Sequence, residues 1–171
     1  MKENKLLVVV DMQNDFVTGS LANKDAEAII DRMVDFVKAY EGEVVFTKDT
    51  HQEDYLDTQE GKKLPVVHCI EGTEGWEIVD KLQPFAKDAK IFLKNTFGDT
   101  GLGQYIAERG YDRVDFVGVC TGICVISNAM LAKAFSPQTP IYVHADLCAC
   151  VTKESHETAL NAMKCCQIDV I

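Results

Sequence analysis

VDFVGVCTGICVISNAMLAKAF, residues 114–135, passes from an apolar, β-branched strand (114–119) through a turn of small residues directly into an amphipathic helix (124–135). A strand that feeds straight into a helix is the building unit of a parallel sheet, because parallel neighbours need a crossover rather than a hairpin. Working outward, residues 6–10, 44–47 and 141–143 repeat the same short, buried-type apolar run, and residues 91–93 form a weaker one. Helical periodicity fills the gaps. It is clearest over 25–40, where Ile29, Ile30, Met33, Val34 and Val37 share one face, and over 101–109. Further helices are expected over 75–82 and 155–163. Alternating strands and helices predict a three-layer α/β/α domain with a mostly parallel sheet, a single domain spanning 1–171.

Composition fits one such core and narrows the function. The chain has 171 residues, 47% hydrophobic and 26% charged, with a net charge of −10 from 17 basic and 27 acidic residues. No basic run or aromatic-interleaved patch stands against that acidic background, which excludes nucleic acid as an expected partner. The N-terminal apolar run ends at Asp11, too short for a signal-peptide core or a membrane span, so no membrane contact and a cytoplasmic location are expected. Seven cysteines, an odd number and two of them adjacent at Cys165 and Cys166, read as reduced thiols rather than a disulfide framework.

In open parallel sheets ligands collect beyond the carboxyl ends of the strands. The polar residues that follow the apolar runs are therefore the candidates: Asp11, then Asp49 and His51, then Lys94, then the 120–124 segment, with Asp146 a lesser one. The stretch 50–73 lacks clear periodicity, and loops of that length inside compact domains are usually functional. Cys124 falls at or near a helix N-terminus, where free amides and the macrodipole can lower a thiol pKa. The amides of Cys120 and Cys124 could converge on an oxyanion. By position alone such a cysteine is more often an inert core thiol. Asp11 and Lys94 offer a general base and a cation to hold a thiolate, although each in isolation reads as half of an ordinary ion pair at the sheet rim.

Five strings carry a resemblance: VVVDMQNDF (8–16), FTKDTH (46–51), PVVH (65–68), LKNTFG (93–98) and VGVCTGICV (117–125). Together, and in this order, the chain resembles the isochorismatase-like cysteine hydrolases, the superfamily that includes nicotinamidases and N-carbamoylsarcosine amidohydrolases. The resemblance implies a Rossmann-like fold and a catalytic triad of Asp11, Lys94 and Cys124. It also implies an oxyanion hole from the Cys120 and Cys124 amides, with a cis peptide before Cys120. The implied reaction is hydrolysis of a small-molecule amide through a thioester. Metal-free isochorismatase-type or other small-amide hydrolysis is the nearest alternative, and a non-catalytic interaction module is one of another class. The family usually reads Thr-Asp-x-Cys where this chain has Thr121, Gly122, Ile123 and Cys124, so the capping carboxylate is missing.

Asp49, His51 and His68 form a set suited to zinc, iron or manganese. Nicotinamidases resemble this pattern with a third residue between the histidines. Glu60 matches it, with Asp54 and Asp57 as alternatives, so one divalent metal is expected, zinc first. The resemblance further suggests Phe16 and Phe97 as pocket walls. Pro65 stands where many nicotinamidases have a ring-stacking Trp, and the only Trp is Trp76. Homo-oligomerisation is implied by the family.

Overall fold

The computed structural model describes residues 3–171. Among these, six strands pair in parallel: β1 (Lys5–Val10), β2 (Glu43–Asp49), β3 (Lys90–Lys94), β4 (Arg113–Val119), β5 (Ile141–Ala149) and β6 (Asp169–Val170). Their order across the sheet is β3-β2-β1-β4-β5-β6, every neighbouring pair parallel. From β1 the chain adds strands on one side, then returns to add the rest on the other. Right-handed crossovers then place the two sets of helices on opposite faces.

The core shows this division. Successive β1 side chains alternate between the faces, and residues 6–10 are fully buried, which is why the run is apolar throughout. Leu6, Val8 and Val10 pack with α5 (Thr100–Arg109), α6 (Ile126–Phe135) and α7 (Lys153–Cys165). Leu7 and Val9 pack with Ile29, Met33 and Val37 of α2 (Lys24–Ala39) and with Ala86 of α4 (Gln83–Ala86). Two short helices, α1 (Asn14–Val17) and α3 (Gln59–Lys63), lie in loops beyond the strand ends.

Caps fix the long helices. Asn23 accepts hydrogen bonds from the Asp25 and Ala26 amides at the start of α2, Asp99 caps α5, and Thr152 forms a reciprocal capping box with Ser155 at α7. Each such cap contributes about 1 kcal/mol. Gly118 has φ +120°, and a Cβ there would lie 2.1 Å from the Val10 carbonyl oxygen, so only glycine lets β4 run this close to β1.

Two expectations change. The helix over 75–82 does not form: a 3-10 turn covers Glu74–Trp76, and Ile78 bridges antiparallel to Gln13. Backbone pairing with the segment after β1 (Asn14 N–H to Glu77, Val79 N–H to Met12) satisfies these groups instead, and Pro84 marks the start of α4. The helix expected to begin at Cys124 is preceded by a π-helical turn, Thr121–Val125, and regular α-geometry begins at Ile126.

Candidate active site

β1, β2, β3 and β4 end side by side, and the direction of chain progression reverses between β1 and β4. Asp11 follows β1, Asp49 ends β2, Lys94 ends β3, and Cys120 follows β4. The candidate residues thus meet at the topological switch point, where open α/β sheets hold ligands.

Lys94 is the hub. Its Nζ lies 2.6 Å from Asp11 Oδ2, 3.2 Å from Asp49 Oδ1 and 3.5 Å from Cys124 Sγ, and it also donates to the Thr96 carbonyl at 3.2 Å. All four side chains are buried. Lys94 directs its N–H groups at Asp49, Thr96 and Cys124, so Asp11 Oδ2 feels its charge at close range but receives no aligned hydrogen bond. The other oxygen, Oδ1, accepts from the Thr47 hydroxyl at 2.5 Å. One carboxylate oxygen is therefore anchored and the other is available to a proton.

Burial raises the Asp11 pKa above the ordinary carboxylate range, Lys94 offsetting it only in part, and this makes Asp11 a stronger base than an exposed aspartate. Burial opposes charge on Lys94 as well, but Asp11, Cys124 and Asp49 together hold it as an ammonium. Burial, then the Asp11 charge, pushes the Cys124 thiol well up, against the lowering by Lys94. Cys124 lies within the π-turn rather than at the first residue of the α-helix, and burial with the Asp11 charge raises its thiol pKa there. Ile123 and Val125, on either side of Cys124, donate their amides to the Cys120 carbonyl at 3.0 and 3.1 Å. The Val119–Cys120 peptide is cis.

Beside this cluster four ligand-type atoms converge. Asp49, His51, Glu60 and His68 each present one, all within 4.8 Å of one another. His51 Nε2 and His68 Nε2 lie 3.0 and 3.4 Å from Asp49 Oδ2, and both lie 3.7 Å from Glu60 Oε1. For bonds of about 2.0–2.1 Å, a tetrahedral shell has edges of roughly 3.3 Å, so these separations suit a zinc-sized ion. Chemistry agrees with geometry. His68 Nδ1 lies 2.8 Å from the Val66 carbonyl, which fixes the proton there and leaves the Nε2 lone pair facing two carboxylates. The alternatives Asp54 and Asp57 are not in the group.

A cavity of about 750 Å³ is shared by the two clusters, lined by Cys124 and Cys120 and by Asp49, Glu60 and His68. Phe16 and Phe97 both line it, together with Leu21, Ile123 and Val151. The Phe16 ring sits 5.6 Å from that of His68. Trp76 takes no part: its indole lies under Lys48 and donates to the Thr50 hydroxyl. Asp146 is on the surface, facing Arg32.

Sequence reasoning missed several supports. Gln13 clamps Asp49 by accepting its amide and donating to its carbonyl, both at 2.8 Å. Buried Tyr55 packs its ring against His51 and His68 and donates to the Leu64 carbonyl. Asn128 joins the Cys124 carbonyl to the Phe97 loop. Gln13 lies within the quoted string DMQNDF, so a signal was present. Thr47 likewise lies within FTKDTH, whereas Tyr55 and Asn128 lie outside the five strings.

A family profile described as "Isochorismatase domain" matches residues 5–171. The chain is 29% identical to the nicotinamidase/pyrazinamidase of Mycobacterium tuberculosis, over 98% of each sequence. It is also 27% identical to a protein of Arabidopsis thaliana described as a probable inactive nicotinamidase, over 94% of this chain and 88% of that one. Among solved structures, the pyrazinamidase of Pyrococcus horikoshii in complex with zinc superposes with a TM-score of 0.85 at 28% identity, covering 98% of each chain. With the profile spanning all but the first four residues, the chain belongs to the isochorismatase family.

Proposed function

We propose that the chain is a cysteine amidohydrolase that releases ammonia from a small-molecule amide of the nicotinamide type. The observation that carries this is Lys94 Nζ standing between Asp11 and Cys124, beside a four-donor metal-type cluster that lines the same cavity as Cys124. The names of the Mycobacterium and Pyrococcus relatives support the substrate class, and the zinc in the latter supports the metal.

The residues suit the chemistry in sequence. Asp11 takes the thiol proton through its unanchored oxygen, and Lys94 holds the thiolate as it forms. Cys124 sulfur attacks the amide carbon, and the Cys120 and Cys124 amides receive the oxyanion; one such donor is typically worth on the order of 10²–10³ in rate. The proton on Asp11 passes to the leaving nitrogen, which departs as ammonia. Asp11, a base again, takes a proton from the water that opens the thioester and restores the thiol. A divalent metal, zinc first, held by Asp49, His51, Glu60 and His68, would supply a Lewis-acid contact for a ring heteroatom of the substrate. Phe16 and Phe97 would flank an aromatic ring.

An ammonia-release assay over nicotinamide, pyrazinamide, carbamoyl compounds and simple amides, with elemental analysis of the same sample, tests the reading. Turnover of an aromatic amide that disappears in Cys124→Ala is the expected result. Full activity in that variant, or no turnover of any amide by metal-loaded protein, overturns it. The second outcome would align the chain with the Arabidopsis relative described as a probable inactive nicotinamidase.

A further inference from the structure

We propose that Cys150 and Cys120 form an oxidisable dithiol beside the catalytic cavity, a modification site that a peroxide converts to a disulfide. The pairing follows from the sheet. β4 and β5 run in register to Gly118↔Cys148 and Val119↔Ala149, so one further step sets Cys120 opposite Cys150. Neighbouring strands lie about 4.8 Å apart. That separation falls inside the range of roughly 4.4–6.8 Å between the Cα atoms of bridged cysteines. The amide of Gly122, two residues after Cys120, donates to Cys150 Sγ at 3.4 Å, which holds Cys150 against the turn that Cys120 begins.

Their surroundings make them unequal, as a reacting pair requires. Cys150 Sγ accepts from the Gly122 amide at 3.4 Å. Gly122 permits this approach: a Cβ there would already lie 3.3 Å from the sulfur and 3.4 Å from the Ser155 carbonyl. The neighbouring Cys120 thiol outweighs burial and lowers the Cys150 thiol to about 5, while the same neighbour and burial push Cys120 up. Cys150 is the nucleophile and Cys120 the resolving thiol.

Access comes from two sides. Cys120 is half-buried and lines the catalytic cavity, whereas Cys150 borders a separate cavity of about 320 Å³ with Asp25, Arg32 and His156. An oxidant the size of hydrogen peroxide fits either. The other thiols are less suited: burial pushes Cys148 up to about 12, and Cys165 and Cys166 sit exposed at the end of α7.

The step balances as a two-electron oxidation. Cys150 thiolate attacks one peroxide oxygen, forming an S–O bond as the O–O bond breaks and hydroxide leaves. Cys120 sulfur then attacks the sulfenic sulfur. The S–S bond forms, and the displaced oxygen leaves as water with the Cys120 proton. Both sulfurs are oxidised by one electron each, and the peroxide is reduced to water and hydroxide.

The test reads linkage rather than turnover, so it is independent of the amidase reading. The full chain is treated with hydrogen peroxide at neutral pH, alkylated, digested and mapped by mass spectrometry. A Cys120–Cys150 cross-link, lighter by two hydrogens and reversed by dithiothreitol, is expected. Cys150→Ala and Cys150→Ser, both outside the catalytic cluster, should lose it and leave Cys120 open to iodoacetamide. A Cys120–Cys124 linkage instead, or Cys150 recovered as an unlinked sulfinic acid or unmodified thiol while Cys165 and Cys166 are oxidised, overturns the proposal.

Discussion

Asp11 holds a backbone φ of +49°, in the left-handed region that a non-glycine residue occupies at a cost of roughly 1–3 kcal/mol. The surrounding contacts over-determine it: the Thr47 carbonyl takes its amide and the Thr47 hydroxyl takes one carboxylate oxygen. Asp11→Asn keeps this shape and removes the base, so ammonia release should fall by about 10²–10⁴-fold at every accessible pH. Lys94→Met acts differently. It strips the cation from two buried carboxylates, which should cost about 3–5 kcal/mol of stability. It also removes the one charge that lowers the Cys124 pKa, so the pH at which iodoacetamide labels Cys124 should move upward. A labelling profile unchanged by the substitution rules out the electrostatic role of Lys94. Asp11 and Lys94 stood out in the sequence because each directly follows an apolar run, and Cys124 because it lies in the turn that joins a strand to a helix. The upward push on the Cys124 thiol was not legible there, since it depends on burial and on Asp11, which no spacing in the sequence reports.

At the scale of elements, β4 is held at both ends by features of different legibility. Near its start, Asp115 accepts from Arg113 through both oxygens (2.6 and 2.8 Å), from Tyr40 at 2.8 Å, and pairs with His144 at 2.7 Å, joining β4 to β5 and to the end of α2. Burial would raise this carboxyl, but the bonds from His144, Arg113 and Tyr40 prevail and hold it down at about 2. A depressed folded pKa gives stabilisation that is complete above the ordinary aspartate pKa and is lost as pH falls through about 2. Asp115→Asn should therefore lower unfolding stability by about 1.5–3 kcal/mol at pH 7. The gap in urea midpoints should narrow between about pH 4 and pH 2, and a gap constant over that range refutes the assignment. An aspartate inside an apolar strand run gave no sign of this network, whose partners lie up to 75 residues away. The 75–82 segment misled for a related reason: its helical periodicity is real, but pairing with residues 12–14 claims its backbone groups. The strand-to-helix connection at 114–135 was readable because its pattern is local, whereas the two-residue β6 is too short to leave one.

For the whole molecule the decisive fact is that the sheet reverses its direction of growth between β1 and β4, so loops distant in sequence face one cavity. Asp49 makes this a single unit: Oδ1 faces Lys94 and Oδ2 faces both histidines, so the metal-type cluster and the triad share one carboxylate. Binding of a divalent ion should thus stabilise the fold as well as prepare the site. An ion present at 100 times its Kd adds about 2.7 kcal/mol. For a domain of this size that corresponds to a Tm increase of roughly 5–10 °C. Chelation of the zinc-loaded protein should remove this increment. In His51→Ala or His68→Ala, zinc addition and chelation should leave Tm unchanged; equal shifts in these variants and the unmodified chain would place the metal elsewhere. Protons compete for the same lone pairs. Burial opposes protonation of His68, but its bonds to Asp49 and the Val66 carbonyl raise its pKa overall, so zinc affinity should begin to fall above the ordinary histidine range near pH 6.5 and continue downward as pH drops. Zinc titrations from pH 8 to pH 5 measure this directly, and an affinity independent of pH would exclude histidine ligation.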